Sequence, residues 1–148
     1  MKKAIALATL LILSVFFLTK KEQIYLTKKY YKSGNYIEVG SEQIEKLKKD
    51  TYVLFTYNSY CNLKIPCETI FKKTMEKYKI DFLSTPFVEF KKTKFYKKVN
   101  YAPSVLIVSK GKIISYLDAN KDSDLEKYQD DKKFEKWLQK YIKLSKPF

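Results

Sequence analysis

The segment Thr51–Tyr57 constrains the fold more than any other part of the chain. It is rich in β-branched and aromatic residues, a composition that is typical of a β-strand. Because its apolar run is continuous rather than alternating, the strand is predicted to be buried on both faces. A sheet that is covered on both faces needs helices on each side, so the sequence predicts an α/β domain.

Further hydrophobic patterns follow in the order β-α-β-α-β-α-β-β-α, in which Thr51–Tyr57 is the second strand. Parallel inner strands followed by a terminal hairpin and a helix predict one mixed sheet with helices on its faces. The other predicted strands are Tyr36–Val39, Ile80–Leu83, Val105–Val108 and Lys112–Leu117. The predicted helices are Glu42–Lys48 with Ser41 as its N-cap, Cys67–Tyr78, Phe87–Lys97 and Asp122–Leu144.

An uncharged run from Ala4 to Leu18 follows two lysines and is closed by Lys20 and Lys21. Its length suits the apolar region of a secretory signal and is a little short of a helix that spans a bilayer. No small-x-small cleavage site follows the run, which favours an uncleaved signal anchor at 1–21, a single hydrophobic transmembrane helix. A cleaved signal peptide and a buried core helix are the alternatives.

The rest of the chain divides into a predicted stalk at 22–35, rich in lysine and tyrosine, and a predicted domain at 36–148. We expect this domain to lie outside the cytoplasm, on a single-pass protein of the cell membrane. A signal with a short N-terminal tail normally keeps its amino end in the cytoplasm, and two nearby cysteines in an exported domain are disulfide candidates. The lysines around the apolar run do not favour this orientation under the positive-inside rule.

The chain contains 30 basic residues, all of them lysine, against 16 acidic ones, and its formal net charge is +14. The absence of histidine excludes Ser/His/Asp and Cys/His nucleophile activation and the histidine-containing zinc sites. Two cysteines alone cannot complete a structural zinc site, and the few scattered glycines form no phosphate-binding loop. We therefore expect no metal and no cofactor.

Two segments carry the remaining chemistry. The strand Thr51–Tyr57 runs into a loop with Cys61 and then into Cys67 at a helix start, and a second segment places Pro103 before a strand and a glycine turn. Together they resemble the thioredoxin superfamily over residues 36–142. The resemblance implies a thioredoxin-like fold with a central mixed sheet, a redox-active cysteine pair and a cis-proline that faces it.

The site that this resemblance implies consists of Cys61 and Cys67 as the catalytic pair. Pro103 and Ala102 would offer a backbone edge to an extended substrate peptide. Five residues separate the two cysteines, whereas thioredoxins separate theirs by two, and of the usual Trp-Cys-Gly-Pro-Cys only the final Pro-Cys remains. The longer loop can still bring the cysteines within disulfide distance. The expected activity is membrane-anchored thiol–disulfide exchange, with thiols and disulfides of exported proteins as partners.

Which cysteine attacks first stays open at this stage. Cys61 lies earlier in the loop and is expected to be more exposed, whereas the amides at the helix start favour a thiolate at Cys67. Two alternatives to exchange remain. The cysteines could form a structural disulfide in a non-catalytic binding or accessory module, or they could be free or metal-linked thiols.

The acidic run Asp118–Glu126 resembles a calcium loop only superficially, because Ser123 replaces the glycine and Gln129 the glutamate that such a loop needs. Residues 51–112 contain 12 lysines against 4 acidic residues, with aromatic residues among them. In an exported domain this charge favours a solvated face, or attraction to anionic lipid or wall polymer, over nucleic-acid binding. We expect a monomer with no nucleic-acid partner.

Overall fold

The computed structural model describes residues 22–58 and 65–147. The strands are β1 (Ile24–Tyr25), β2 (Tyr36–Glu38), β3 (Thr51–Tyr57), β4 (Phe82–Pro86), β5 (Ser104–Ser109), β6 (Lys112–Asp118) and β7 (Ile142–Lys143). The helices are α1 (Ser41–Lys46), α2 (Cys67–Tyr78), α3 (Phe87–Phe90), α4 (Asp122–Leu125) and α5 (Asp131–Gln139). Short 3-10 helices lie at Lys28–Tyr30, Lys94–Lys97 and Glu126–Tyr128.

Five strands form the central sheet in the order β2-β4-β3-β5-β6. Strands β2, β3 and β4 are parallel, whereas β5 is antiparallel to β3 and β6 is antiparallel to β5. The middle of β3, from Tyr52 to Thr56, is buried, as its continuous apolar run predicts. The predicted mixed sheet with flanking helices is confirmed.

Helices α2 and α5 cover one face of the sheet through aromatic rings. The ring centroid of Phe71 in α2 lies 5.4 Å from that of Phe55 in β3 and 4.4 Å from that of Phe134 in α5. Tyr128, ahead of α5, meets Phe71 edge-on with 5.5 Å between the centroids. All four rings are buried, so this cluster fixes α2 and its first residue relative to the sheet.

Part of the segment that the sequence predicts as a stalk packs against the domain. Strand β1 pairs in parallel with β7. The side chains of Leu26, Tyr30 and Tyr31 are buried in the core. Residues 24–31 therefore belong to the folded domain, because their apolar side chains are removed from water rather than exposed along a linker.

The predicted helix Asp122–Leu144 is divided in the structure into α4, a 3-10 helix, α5 and β7. The break follows the buried side chain of Tyr128, and α5 restarts where Asp130 accepts a hydrogen bond from an amide of its first turn at 3.0 Å. Beyond α5, Ile142 and Leu144 are buried with a more exposed residue between them, which is the period of a strand. One continuous helix was therefore the wrong prediction for this region.

Of the other predicted elements, two differ most in their bounds. The predicted helix Phe87–Lys97 is replaced by α3 and a 3-10 helix, and between them the hydroxyl of Thr93 donates to the carbonyl of Phe90 at 2.8 Å. This bond ends the α-helical turn because it satisfies one of its last carbonyls. Strand β4 starts later and ends later than the predicted Ile80–Leu83.

The start of α1 is held by a residue of another helix. Gly40 is the N-cap, where the sequence predicts Ser41. The carboxylate of Glu89 in α3 accepts hydrogen bonds from the amide and the hydroxyl of Ser41, at 3.2 and 2.9 Å. Hydrogen bonds from Lys92 and then from Ser41 lower the pKa of the Glu89 carboxyl to about 2. A tertiary contact thus takes the place of the predicted local cap.

Some predictions concern residues outside the described ranges. The predicted anchor at 1–21 lies there, and so does Cys61. Within residues 22–58 and 65–147, no helix is long and apolar enough to cross a membrane.

Candidate functional site

Cys67 is the first residue of α2, and its side chain is almost completely buried, with 2% exposed. Pro66 precedes it as the N-cap, and the carbonyl of Pro66 accepts a hydrogen bond from the amide of Thr69 at 3.0 Å. Proline suits a helix start because its ring presets φ and it brings no amide that needs a partner. The predicted helix Cys67–Tyr78 is confirmed, and Cys67 lies among the backbone amides that open it.

Pro103 stands directly before β5, and its peptide bond with Ala102 is cis. Both residues are buried. The hydroxyl of Ser104 donates to the carbonyl of Tyr101 at 2.6 Å and closes the turn around the proline. Ser104 also pairs with Thr56 near the end of β3. Pro103 and the cysteine loop that follows β3 therefore lie at the same edge of the sheet.

The strand order and the placement of two residues decide the fold. Parallel strands β2, β3 and β4 alternate with helices, and an antiparallel hairpin and a helix follow. Cys67 opens the helix after β3, and a cis-proline precedes β5. The chain has a thioredoxin-like fold. Pro103 is the cis-proline that the sequence resemblance implied.

Solved thioredoxins are similar to this chain at low sequence identity. Schistosoma mansoni thioredoxin is 18% identical over 75% of this chain and 99% of its own, with a TM-score of 0.49. Spinach chloroplast thioredoxin f is 20% identical over 74% of this chain and 96% of its own, also at 0.49. A Cys-to-Ser mutant of Entamoeba histolytica thioredoxin is 14% identical over 63% and 95%, at 0.48. No protein-family model and no curated protein matches the sequence.

Tyr128 lies beside Pro103 in this thioredoxin-like domain. Its hydroxyl lies 2.7 Å from the carbonyl oxygen of Leu117 and 3.3 Å from that of Pro103. Burial raises the pKa of the Tyr128 phenol well above its usual range, and negative charge on the nearby Cys67 raises it further. The phenol therefore remains a neutral donor. Tyr128 was not predicted as a site residue, although a lone aromatic side chain in an acidic stretch is a usable signal.

Both ends of the cysteine loop are held by side-chain amides. Asn58, directly after β3, donates from Nδ2 to the carbonyl of Ala102 at 3.3 Å. Gln129 accepts from the amide of Ile65 at 3.1 Å and donates to the carbonyl of Ile65 at 3.0 Å. These contacts join the start of the loop to the residue before the cis-proline, and the end of the loop to the chain before α5. Neither of these two side-chain amides was predicted to hold the loop.

A second tyrosine, Tyr36 in β2, also lies near Cys67. Its hydroxyl donates to the carbonyl of Glu68 at 3.0 Å. Burial raises the pKa of the Tyr36 phenol above its usual range, and negative charge on Cys67 and Glu68 acts in the same direction. Both phenols near Cys67 are thus protonated at neutral pH, so neither can serve as a general base there. A cleft of about 200 Å³ adjoins this region, lined by Tyr36, Phe55, Tyr57, Glu68 and Ser84.

Apolar side chains are exposed beside the site. Ile65, two residues before Cys67, is 40% exposed, and Tyr101, directly before Ala102, is 41% exposed. Such exposed apolar groups are suited to contact with a protein partner. Among the described residues, no cluster of cysteine or acidic side chains has the arrangement of a metal site.

Proposed function

We propose that this protein is a thiol–disulfide oxidoreductase, held at the cell membrane by residues 1–21, whose domain acts outside the cytoplasm on exported proteins. The thioredoxin-like fold suggests thiol–disulfide oxidoreductase activity. The observation that carries the proposal is the placement of Cys67 at the start of α2 and of cis-Pro103 at the same edge of the sheet. Disulfide exchange needs an attacking thiolate and a second thiol that resolves the mixed disulfide, and in this proposal Cys61 and Cys67 supply them.

In this proposal Cys61 attacks and Cys67 resolves. The thiolate of Cys61 forms a bond with one sulfur of a partner disulfide, and the other sulfur leaves as a thiolate and takes up a proton. The thiolate of Cys67 then attacks the sulfur of Cys61, which forms the Cys61–Cys67 disulfide and releases the second partner sulfur as a thiol. Two electrons pass from the cysteine pair to the partner, and the reverse sequence oxidises a partner dithiol. The burial of Cys67 supports its role as the resolving thiol.

The partner is proposed to bind as an extended peptide along Ala102 and Pro103. Pairing through the main chain allows partners of many sequences to bind, because the hydrogen bonds involve the partner's backbone rather than its side chains. Tyr101 and Ile65, which are partly exposed beside it, would contact apolar side chains of the partner. This mode fits an enzyme that acts on exported proteins in general.

The reduction potential of the cysteine pair tests the proposed activity. The full chain in mild detergent is equilibrated against graded thiol buffers, and the oxidised fraction is measured by alkylation and mass. We expect a potential between roughly −120 and −270 mV, the range of working oxidoreductases. A value below about −300 mV would indicate a structural disulfide instead.

The order of attack is tested with single substitutions. Cys67→Ser should accumulate a mixed disulfide between Cys61 and a model disulfide substrate, because nothing resolves it. Cys61→Ser should accumulate much less, because Cys67 is buried. Equal trapping by both variants would contradict the assigned roles.

A non-catalytic binding module with a structural disulfide is the second candidate, and the 2% exposure of Cys67 favours it as well. A module of this kind keeps its partner but catalyses no exchange. For such a module, replacing both cysteines by serine would lower the free energy of unfolding, and there would be no exchange activity to lose. An enzyme would lose exchange and keep most of its fold.

Membrane anchoring and orientation are tested in cells. The full chain should sediment with membranes and retain residues 1–21 on N-terminal sequencing. A membrane-impermeant thiol reagent should label the reduced Cys61 in intact cells, and labelling only after lysis would place the domain in the cytoplasm.

A further inference from the structure

Exposed lysines gather at the end of the domain that lies opposite the Cys67–Pro103 edge. Thr51 opens β3 and pairs with Ser109, and Ser109 pairs with Lys112 across the β5–β6 turn. The start of β3 and this turn therefore share one end of the sheet. Strand β3 separates that end from Cys67 by about 20 Å. We call the lysine face the following exposed residues: Lys28, Lys29, Lys48, Lys49, Lys94, Lys110 and Lys112.

Contacts between four chain segments place these lysines together. The amide of Lys110 donates to the carbonyl of Asp50 at 2.9 Å, which joins the turn to the chain before β3. The Nζ atom of Lys94 lies only 3.0 Å from the point where a side chain at Gly111 would begin. Thr27, just before Lys28 and Lys29, bonds to Thr51 through its hydroxyl and its amide, at 2.8 and 2.9 Å. The lysine face is therefore continuous.

Few acidic groups balance this charge among the described residues. Asp50 pairs with Lys29 through a 2.6 Å contact between its carboxylate and Nζ. Glu45 accepts a hydrogen bond from the amide of Lys94 at 3.4 Å. Two carboxylates facing a larger group of lysines leave a strong positive excess at this end. A positive face of this kind attracts a polyanionic partner.

The chain enters the domain at the same end. The side-chain amide of Gln23 donates to the carbonyl of Gln139 at the end of α5, and the chain then runs through β1 to Thr27. Only the short stretch from Glu22 to Thr27 joins the lysine face to residues 1–21, and it spans less than about 20 Å. Tyr25 is 41% exposed there, with the Nζ atom of Lys143 4.8 Å from its ring centroid. Exposed tyrosine and lysine together are typical of a membrane–water interface.

We propose that the lysine face docks the domain onto anionic lipid headgroups. This proposal rests on the proposed membrane anchor, because a face within about 20 Å of the anchor meets lipid before any other polyanion. Each lysine near an anionic bilayer strengthens its attachment roughly fivefold, and salt screens the attraction. Docking would direct the Cys67–Pro103 edge away from the bilayer and toward exported partners.

Lysine footprinting of the full chain tests the docking. The chain is reconstituted in vesicles of phosphatidylcholine, with or without phosphatidylglycerol, and acetylation of each lysine is followed by mass spectrometry. We expect the lysine face to react at least fivefold more slowly in the anionic vesicles. Lys121, Lys132 and Lys133 are exposed lysines at the opposite end of the domain, after β6 and at the start of α5, and they should react equally in both. High salt should remove the difference.

Matched substitutions separate local attraction from total charge. Replacing Lys48, Lys49 and Lys110 by glutamine should abolish the protection of the other lysines of the face. The same charge change at Lys121, Lys132 and Lys133 should leave it intact. Equal acetylation in both kinds of vesicle, or protection of the control lysines instead, would overturn the proposal. So would protection by single-stranded DNA that anionic lipid does not reproduce, since the partner would then be a nucleic acid.

The outcomes distinguish this proposal from the proposed function. Flotation of the chain with neutral vesicles reports the anchor alone, because headgroup attraction is absent there. Flotation without protection in anionic vesicles would refute docking and leave the anchor standing. A chain with both cysteines replaced by serine should show the same protection, whatever the result of the exchange assay.

Discussion

The side-chain amide of Gln129 forms two hydrogen bonds with the backbone of Ile65, one in each direction, at 3.1 and 3.0 Å. Its Nε2 atom also donates to the carbonyl of Tyr128 at 2.9 Å. The residue after the buried tyrosine thus holds the chain just ahead of Pro66 and Cys67. In this way a loop before α5 fixes the base of the cysteine loop.

Replacing Gln129 by leucine should loosen the base of the cysteine loop. Both bonds to Ile65 are lost, and we expect the free energy of unfolding to fall by about 1 kcal/mol. Alkylation of Cys67 in the reduced protein should accelerate, because its surroundings open more often. Gln129→Glu keeps the acceptor for the amide of Ile65 and loses the donor to its carbonyl. Its stability and its alkylation rate should therefore lie between those of the wild-type protein and of Gln129→Leu. An unchanged alkylation rate in Gln129→Leu would show that the loop does not depend on this amide.

Tyr128→Phe should destabilise the domain by about 1–2 kcal/mol, because the buried carbonyl of Leu117 loses its 2.7 Å donor. Urea unfolding of the reduced protein measures the difference. Tyr116→Phe is the matched control, since the hydroxyl of Tyr116 only accepts a long 3.4 Å bond from Lys121 at the surface. Equal effects of the two substitutions would contradict a specific role for the Tyr128 hydroxyl.

Thr56→Val should stabilise the domain by about 1 kcal/mol. Thr56 and Thr85 lie opposite each other in β3 and β4, both are fully buried, and neither hydroxyl has a hydrogen-bond partner in the described structure. Valine has the same shape without the unpaired polar group. Thr93→Val is the control, since it removes a hydroxyl that donates to Phe90 at 2.8 Å and should destabilise. A lower melting temperature for Thr56→Val would indicate a partner for its hydroxyl, such as a buried water.

Gly34→Ala should cost at least about 2 kcal/mol of stability. Gly34 has φ +79°, and a Cβ atom there would lie 2.7 Å from the carbonyl oxygen of Met75 in α2. Residues with a side chain disfavour a positive φ. The backbone of α2 cannot move aside as a flexible side chain could. At Gly40 the nearest atoms are side-chain oxygens 3.7 and 3.9 Å away, so Gly40→Ala should cost less. Thermal unfolding of both variants gives the comparison.

The contact between Glu89 and Ser41 should make stability sensitive to acid. The pKa of Glu89 is lowered from its ordinary 4.5 to about 2, first by Lys92 and then by Ser41. A carboxyl with a lowered folded-state pKa contributes its full stabilisation above pH 4.5 and loses it as the pH falls toward 2.

Glu89→Gln tests this dependence. The variant should be less stable than the wild-type protein at pH 7, and the difference should shrink between pH 4.5 and 2. Melting temperatures across this range measure it. Gln43→Ala is the control, because it removes the acceptor of a 2.8 Å bond from the amide of Gly40 at the same helix start and changes no titratable group. A constant difference for Glu89→Gln would show that its carboxylate is not held in the charged state.

Elements whose pattern is local could be predicted from the amino-acid sequence alone. The run Thr51–Tyr57 is a buried strand with the predicted bounds, and Pro66 with an apolar helical period located α2 at Cys67–Tyr78. The hairpin of β5 and β6 followed from two β-branched runs around a glycine turn. These signals act over a few residues, and in these segments the tertiary structure did not override them.

Contacts between distant segments could not be predicted in this way and are seen in the folded domain. Leu26 and Tyr31 lie in a stretch with the composition of a stalk, yet a partner strand and the open edge of the core bury them. The contacts of Gln129 with Ile65, and of Tyr128 with Pro103, join residues far apart in the chain. No local pattern encodes such pairs, because hydrogen bonds and burial between distant residues exist only once the sheet and its helices have assembled.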